Sequence, residues 1–542
     1  MKKSIPVLVF LFSLLLFYGC SSIKQPQSVF VPLDYTDQDV IDNEINYIRS
    51  IQKNDCTLAL YRACLMKENG KTSGILEECA GIVQDNAAKA FEQKDYALAI
   101  KLYKSLVSAE INLEENQKAC DDCINAFYSD VPGFTCDEEK LPKTIADCIN
   151  ATVTVWVDQG YKVENGAGYA DVVIGSGFFI DRRGYIITNH HVIAEMVNPK
   201  RKTTCKLYVK LPSDMEKKIP AKVIGYDSVM DLALLKVEIE PIFVLELGSS
   251  SELDVGDRIS AIGTPVGLEG TLTSGIISSA SRQLLTMGKS FQIDAAVNSG
   301  NSGGPLIDDN KKVQAVVFAG MLQYQGLNFA IPVEYLKQEL PLLYRGGELK
   351  HCWTAAYGHD KKIQNEKRGL EIQYVMPGGS ASLTGLKIDD VIVSADDVTI
   401  SSLEDFQLLT MKYEPGTILK GSYERDGMIS ECLIFLEDRP EAPLKEIFAS
   451  DFAEDSFIPI FGIKMVRSST TNKKLYRIEY VLEGSSADQN GFSENDNLEL
   501  RDIAFYDEAN MFTALVIVQR QKKGFLDIAM QLASSYDNPN YF

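Results

Sequence analysis

The segment Asn298-Ser299-Gly300-Asn301-Ser302-Gly303-Gly304-Pro305-Leu306 leaves little freedom to the chain around it. Small residues crowd one hydroxyl, with Gly300 two places before Ser302 and Gly303 and Gly304 directly after it. Glycine reaches backbone conformations closed to other residues. The chain can therefore turn so that the Gly300 and Ser302 N–H groups point the same way, as the oxyanion of a tetrahedral intermediate requires. Gly300, Asn301 and Ser302 are the expected oxyanion hole, and Pro305-Leu306-Ile307 the return to a buried strand. The plain alternative is a glycine-rich turn with an incidental serine.

Two upstream segments argue against the plain reading. Ile186-Ile187-Thr188-Asn189-His190-His191 is a hydrophobic run that stops at two histidines, and Asp231-Leu232-Ala233-Leu234-Leu235 puts one carboxylate at the head of an aliphatic strand. In the order His, Asp, Ser, an imidazole takes the serine proton and a buried aspartate holds its tautomer. Either piece alone has a structural explanation, a satisfied histidine or a strand cap. Yet His190 and His191 are two of only four histidines in the chain, the others being His351 and His359, and this concentration favours chemistry.

Residues 150 to 345 resemble the HtrA/Deg branch of the trypsin-like serine proteases. The resemblance is carried by Gly175-Ser176-Gly177-Phe178-Phe179-Ile180, Thr188-Asn189-His190-His191-Val192 and Asp231-Leu232-Ala233-Leu234-Leu235-Lys236. It continues through Gly263-Thr264-Pro265-Val266-Gly267-Leu268, Thr273-Ser274-Gly275-Ile276-Ile277, Asp294-Ala295-Ala296-Val297 and Gly326-Leu327-Asn328-Phe329-Ala330-Ile331-Pro332. It implies His191, Asp231 and Ser302 as the catalytic triad, His190 filling the variable place before the base and Ser299 standing where the family more often has proline. It also implies that Ala296 lies at the base of the primary specificity pocket. A small or medium aliphatic side chain at the cleaved bond is then expected, with Val317, Phe318 and Ala319 as pocket wall or, equally, buried strand.

The strand pattern agrees. Short runs at 152–157, 172–180, 185–188, 205–211, 219–226 and 233–237 precede a turn at Val255-Gly256-Asp257. Six more follow at 259–262, 272–278, 291–293, 305–307, 313–318 and 327–330. Closely spaced strands with Gly and Asp turns indicate two β-barrels, with His191 and Asp231 in the first and Ser302 in the second. Val333 to Tyr344 reads as a closing helix.

The flanks differ from this centre. Lys2-Lys3, an apolar run from Ile5 to Phe17, and Gly19-Cys20 look like a secretory signal ending in a bacterial lipobox, with residues 1–19 removed, Cys20 acylated and 20–34 a linker. A simple signal peptide cut elsewhere is the alternative. Residues 35–150 are rich in Ala, Leu, Lys and Glu; Ala87 to Tyr103 reads as two helices joined at Lys94-Asp95, similar to one tetratricopeptide hairpin, and a plain bundle fits equally well. Cys56, Cys64, Cys79, Cys120, Cys123, Cys136 and Cys148 in this region suggest disulfides in an exported protein. Cys120-Asp121-Asp122-Cys123 also has zinc spacing, but no histidine is near.

Residues 350–440 resemble a Deg-type PDZ domain through Gly369-Leu370-Glu371-Ile372 and Pro377-Gly378-Gly379-Ser380-Ala381. A looser copy spans 456–542. Such domains add a peptide C-terminus as a strand, and the carboxylate loops are expected near Trp353-Thr354-Ala355-Ala356 and Ile460-Phe461-Gly462-Ile463. The first lacks the usual glycine, which weighs against tail binding there.

A 542-residue chain exceeds one core, and a formal net charge of −21 argues against nucleic acid as a partner. The expectation is a multidomain protein: an all-α region, a chymotrypsin-like double β-barrel at 151–345 and two PDZ-like α+β domains. It would be a lipid-anchored serine endopeptidase of the bacterial cell envelope, acting on misfolded or exported polypeptides without metal or cofactor. Peptide C-termini are expected ligands of the PDZ-like domains, and the family resemblance implies a homo-oligomer. The alternative is a peptide-binding chaperone or scaffold with a normally inactive protease domain.

Overall fold

The computed structural model describes residues 24–542 apart from 72–73, 135–136, 165–166, 200–204, 265–269, 286, 299, 321–326, 470–473 and 522–524. The segment read above as a secretory signal, Cys20, Cys136 and Ser299 lie outside the described residues. The chain forms two compact units. The larger is Val31–Arg439 together with Pro539–Phe542; the smaller contains Pro440–Asn538 and, among the described residues, 24–30.

The larger unit begins with five helices: α1 (Gln38–Ile51), α2 (Cys56–Glu68), α3 (Ile75–Glu92), α4 (Tyr96–Ser108) and α5 (Leu113–Tyr128). Asp37, Asp55 and Asp95 cap α1, α2 and α4, each carboxylate accepting from an N–H of the first turn. The expected break at Lys94-Asp95 is the α3–α4 turn, where Lys94 takes φ 62°. No anticipated disulfide is formed among the described residues. Among the described residues Cys56, Cys64, Cys79, Cys120, Cys123, Cys148, Cys205, Cys352 and Cys432 are free thiols, all but Cys56 buried. In the bundle they act as small apolar fillers between helices. Burial pushes the Cys64, Cys79 and Cys120 thiols up to about 12.

Twelve strands build the centre. The first six are β1 (Thr152–Glu164), β2 (Ala167–Asp181), β3 (Tyr185–Thr188), β4 (Lys206–Leu211), β5 (Asp214–Asp227) and β6 (Leu232–Val237). They pair in the order β5-β4-β1-β2-β3-β6 and close through β5–β6. The second six are β7 (Arg258–Gly263), β8 (Thr271–Arg282), β9 (Ser290–Ile293), β10 (Pro305–Ile307), β11 (Val313–Gly320) and β12 (Asn328–Pro332). These form a closed barrel in the order β10-β11-β12-β9-β8-β7. Alternation along the strands sorts the side chains. Ile186 and Leu235 fill the first barrel and Val317 and Ile293 the second, while Ile187, Leu234, Ile262 and Val316 share a seam between them. The closing helix Val333–Arg345 lays Val333, Leu336, Leu340 and Leu343 into that seam, the spacing of one helical face.

The same helix carries Glu339, wholly buried opposite Asp227 at the end of β5. Asp227 Oδ2 lies 2.7 Å from His351 Nε2. Burial and the Asp227 charge hold the Glu339 carboxyl far above the usual carboxylate range. Burial opposes ionisation of Asp227, but the His351 partner and the Met230 and Val229 N–H groups outweigh it and lower its pKa.

The next domain is a five-stranded sheet in the order Ala356–Ile363, Glu366–Val375, Val391–Ala395, Ile418–Arg425, Met428–Phe435. Helix Leu403–Thr410 packs against the first two strands. The helical bundle rests on the other edge: the Tyr61 ring stacks on Phe435 at 5.1 Å, and its hydroxyl meets Ser380 O at 3.1 Å and Thr384 Oγ1 at 2.6 Å. Ile418 N–H donates to Ser105 Oγ at 3.1 Å, so a helix side chain also satisfies a strand N–H.

The smaller unit has its own sheet of Ile463–Arg467, Leu475–Val481, Asn497–Tyr506, Met511–Gln521 and Phe525–Ser535, paired in chain order. Its core is aromatic, with Phe448, Phe461, Phe505 and Phe512 in mutual contact. This unit departs from the expected 456–542 at both ends. Two helices, Pro443–Ser450 and Ala453–Phe461, precede its first strand, because their apolar faces complete its core. Pro539–Phe542 belong to the larger unit.

Tyr61→Ala should destabilise the larger unit by about 3–5 kcal/mol, as for loss of a buried aromatic ring, and Tyr61→Phe by about 1 kcal/mol for the hydroxyl alone. Equilibrium denaturant unfolding of the two variants checks this. A second expectation concerns Glu339. A carboxyl whose folded-state pKa lies above its unfolded value stabilises the fold fully below the unfolded value, and that contribution is lost as pH rises through the folded one. Glu339→Gln keeps the neutral form at every pH. Its melting temperature should therefore rise relative to wild type as pH increases from acidic to alkaline, and parallel curves would show that Glu339 is already ionised.

Candidate active site

Strand β3 ends at Thr188, Asn189 is extended, and a helix spans His190–Val197. This puts His191 in the first helical turn, its ring half-exposed. Asp231 sits in the turn between β5 and β6. There Asp227 Oδ1 accepts the Val229 and Met230 N–H groups at 2.7 and 3.1 Å. Asp231 adopts φ 56°, a left-handed conformation that costs a non-glycine residue about 1–3 kcal/mol. Three bonds hold it there: His191 N–H to Oδ1 at 2.8 Å, His191 Nδ1 to Oδ2 at 2.7 Å, and Asn189 Nδ2 to its carbonyl at 2.8 Å. With one carboxylate bound to both backbone and ring of His191, the imidazole cannot swing, and Nδ1 is fixed as the donor.

His190 does something else. Its ring stacks on Tyr226 at 5.2 Å, and burial lowers its pKa despite the nearby Asp231 and Asp227 charges.

Ser302 lies in the loop between β9 and β10. Gly300 takes φ 101° and Gly303 φ 84°. A Cβ on Gly303 would collide with the Ser176 carbonyl oxygen, so the loop can sit this close to β2 only with glycine there. Ser176 is the residue that sequence reasoning left without a role. Its Oγ donates to Gly300 O at 2.6 Å and accepts the Thr264 N–H at 2.9 Å; its own N–H donates to Ser302 O at 2.8 Å. The available signal was a polar residue between Gly175 and Gly177 in an otherwise apolar strand. The Ser302 hydroxyl itself donates to Phe318 O at 3.4 Å and not to His191.

Two expectations for the site change. The Asn301 N–H donates to Asn298 O at 3.0 Å, a turn bond that takes it out of the oxyanion hole and leaves Gly300 and Ser302 as the candidates. Val317 does not face the pocket. It is wholly buried inside the second barrel, because alternation along β11 turns it away from its neighbour Phe318, which packs toward the seam. Ala319, also on β11, pairs with Phe329 of β12. Ala296 is exposed, its carbonyl fixed by Thr273 Oγ1 at 2.8 Å.

Residues 175–316 match the trypsin-like peptidase domain family and 361–435 the PDZ domain family. Residues 444–536 match the TP0546 family PDZ domain and 39–123 a domain of unknown function. The chain is 31% identical over 365 residues to a probable periplasmic DegP-like serine endoprotease of Bartonella henselae, covering 65% of this chain and 69% of that one. A protein of the same description from Pseudomonas fulva is 34% identical over 340 residues, covering 60% and 67%. Another from Hahella chejuensis is 35% identical over 254 residues, covering 45% of this chain and 52% of that one. Among solved structures, the HtrA-type protease AlgW with a tripeptide is similar at 25% identity and TM-score 0.45, covering 55% of this chain and 98% of that one. The double barrel, the PDZ sheet behind it and relatives matched over two-thirds of their length at more than 30% identity lead to one family: the chain belongs to the HtrA/Deg, or DegP-like, serine endoproteases.

Proposed function

We propose that this endopeptidase cleaves misfolded or exported polypeptides in the bacterial cell envelope through an acyl-enzyme on Ser302. The His191–Asp231 pair, with its 2.7 Å bond beside the serine loop, carries the reading. In this mechanism His191 Nε2 takes the Ser302 proton as Oγ attacks the scissile carbonyl, and Asp231 stabilises the imidazolium that forms. The Gly300 and Ser302 N–H groups receive the oxyanion. His191 then passes the proton to the leaving amine, and water repeats the sequence to release the acyl group. The Ser302 hydroxyl, turned toward Phe318 O, must rotate to meet His191 before the first step. That orientation also suits the second reading, a peptide-binding protein whose protease rests inactive until a ligand shifts it.

Relatives named periplasmic support an envelope location. The finer proposal is an anchor of acyl chains on Cys20, based on the apolar run and Gly19-Cys20. Ala296 at the pocket base supplies no counter-charge for Lys or Arg, which favours aliphatic residues at the cleaved bond.

Ser302→Ala and His191→Ala should each reduce casein hydrolysis by about 10⁴-fold or more, and Asp231→Asn by about 10⁴-fold. His190→Ala should lose far less, since its ring faces Tyr226. Equal losses at both histidines would overturn the assignment of the base. A wild-type protein that takes up a fluorophosphonate probe on Ser302 only after peptide addition would favour the resting-state reading. For the anchor, Cys20→Ala should move the protein out of the membrane fraction or leave it uncleaved, and a wild-type protein wholly in the soluble fraction would rule the anchor out.

A further inference from the structure

The loop expected to receive a peptide tail is occupied. Residues 540–542 run antiparallel to the first strand of the PDZ domain, Ala356–Ile363, which is the edge of its sheet. The Phe542 N–H donates to Ala356 O at 3.0 Å, Ala356 N–H to Phe542 O at 3.2 Å, and Gly358 N–H to Asn540 O at 3.1 Å. Thr354 Oγ1 adds a bond to Phe542 O at 2.7 Å. The glycine missing from this loop is no obstacle. Ala355 itself takes φ 60°, and the Trp353-Thr354-Ala355-Ala356 turn forms without it.

The side chains fit as closely as the backbone. Phe542 is 3% exposed and meets Phe406 of helix Leu403–Thr410 edge-on at 5.4 Å. Tyr541 is buried against Tyr357 at 5.6 Å. A Cβ on Gly358 would lie 2.3 Å from the Glu371 carbonyl oxygen and 2.9 Å from the Phe542 ring, so the neighbouring strand and the aromatic side chain both press on this position. Gln407 Nε2 holds Pro539 O at 2.7 Å, and Arg439 Nη1 holds Tyr541 O at 2.9 Å. An added strand between a sheet edge and a helix, with alternate side chains in pockets, is how a PDZ fold takes a peptide.

We propose that Asn540-Tyr541-Phe542 is a ligand of the PDZ domain carried in cis, and that outside polypeptides bearing two consecutive aromatic residues compete with it for the same groove. This deepens the peptide-ligand reading of the domain and is independent of whether Ser302 hydrolyses peptide bonds. A groove open only part of the time binds more weakly by the fraction open. The intact chain should therefore bind such a peptide at least about tenfold more weakly than a chain whose own segment has been removed.

The test uses the full chain in the Ser302→Ala background, with a recognition site for a foreign protease inserted after Asp537. A fluorescein-labelled hexapeptide of the Asp537–Phe542 sequence is titrated by anisotropy before cutting and again after cutting and dialysis. Tighter binding after cutting by about tenfold or more, lost when Tyr-Phe in the probe is replaced by Ala-Ala, is the expected result. The uncut Phe542→Asp variant should behave like the cut chain, since a carboxylate cannot stay in the apolar slot. Equal affinity before and after cutting would overturn the proposal by showing an open groove. A cut chain that keeps its own segment through dialysis and takes no probe would overturn it too, by showing a permanent core element. Loss of casein hydrolysis in the Ser302 variant is a separate outcome and leaves both results readable.

Discussion

The Ser176 hydroxyl joins the barrel that holds His191 to the loop that holds Ser302. It donates to Gly300 O while its backbone N–H reaches Ser302 O, so two bonds from one residue hold the serine loop, and a third from Thr264 N–H fixes the hydroxyl that makes the first. Each buried hydrogen bond of this kind contributes about 0.5–1.5 kcal/mol net, and leaving one of these groups unpaired would cost more. The approach is close enough that residues on both sides must be small. A Cβ on Gly175 would lie 3.1 Å from the Ser302 carbonyl oxygen, and one on Gly303 would collide with the Ser176 carbonyl oxygen. The apolar seam holds the two barrels together, and this junction adds the polar bonds that place the Ser302 loop against the strand beside His191.

That dependence explains what could be read from the sequence and what could not. The barrel strands were legible because alternation is a local property: 185–188 and 305–307 fall where the pattern puts them, and the closing helix ends within a residue of its expected bound. The histidine and aspartate were legible because a polar residue at the end of an apolar strand is conspicuous. The role of Ser176 was not, since its partners are 88 and 124 residues away. Asn301 and Val317 failed as site residues for a related reason. Which N–H is spent on a local turn, and which way a strand residue faces at a barrel junction, depend on register that no short motif contains.

The helical region shows the limit of reasoning from composition. Seven cysteines in an exported chain suggested cross-links, yet the thiols described there pack as apolar atoms among Ile48, Leu60, Val83 and Leu106. The bundle gains its stability from a different source, the contact of Tyr61, Ser105 and their neighbours with the PDZ strands Ile418–Arg425 and Met428–Phe435. The helical region and the PDZ domain therefore share one core, and neither surface of that contact could be recognised from its own amphipathic pattern alone.

The chain leaves the larger unit at Arg439 and re-enters it at Pro539. The domain between those points is thus a loop closed at its base, where Arg439 Nη1 bonds Tyr541 O at 2.9 Å. A nick in either connection opens the loop without releasing the domain, because the other connection still holds it. Closure entropy grows only with the logarithm of loop length, about 0.6 kcal/mol for each doubling. The domain between Arg439 and Pro539 can accordingly lengthen, shrink or be exchanged for another with little effect on how often that base opens.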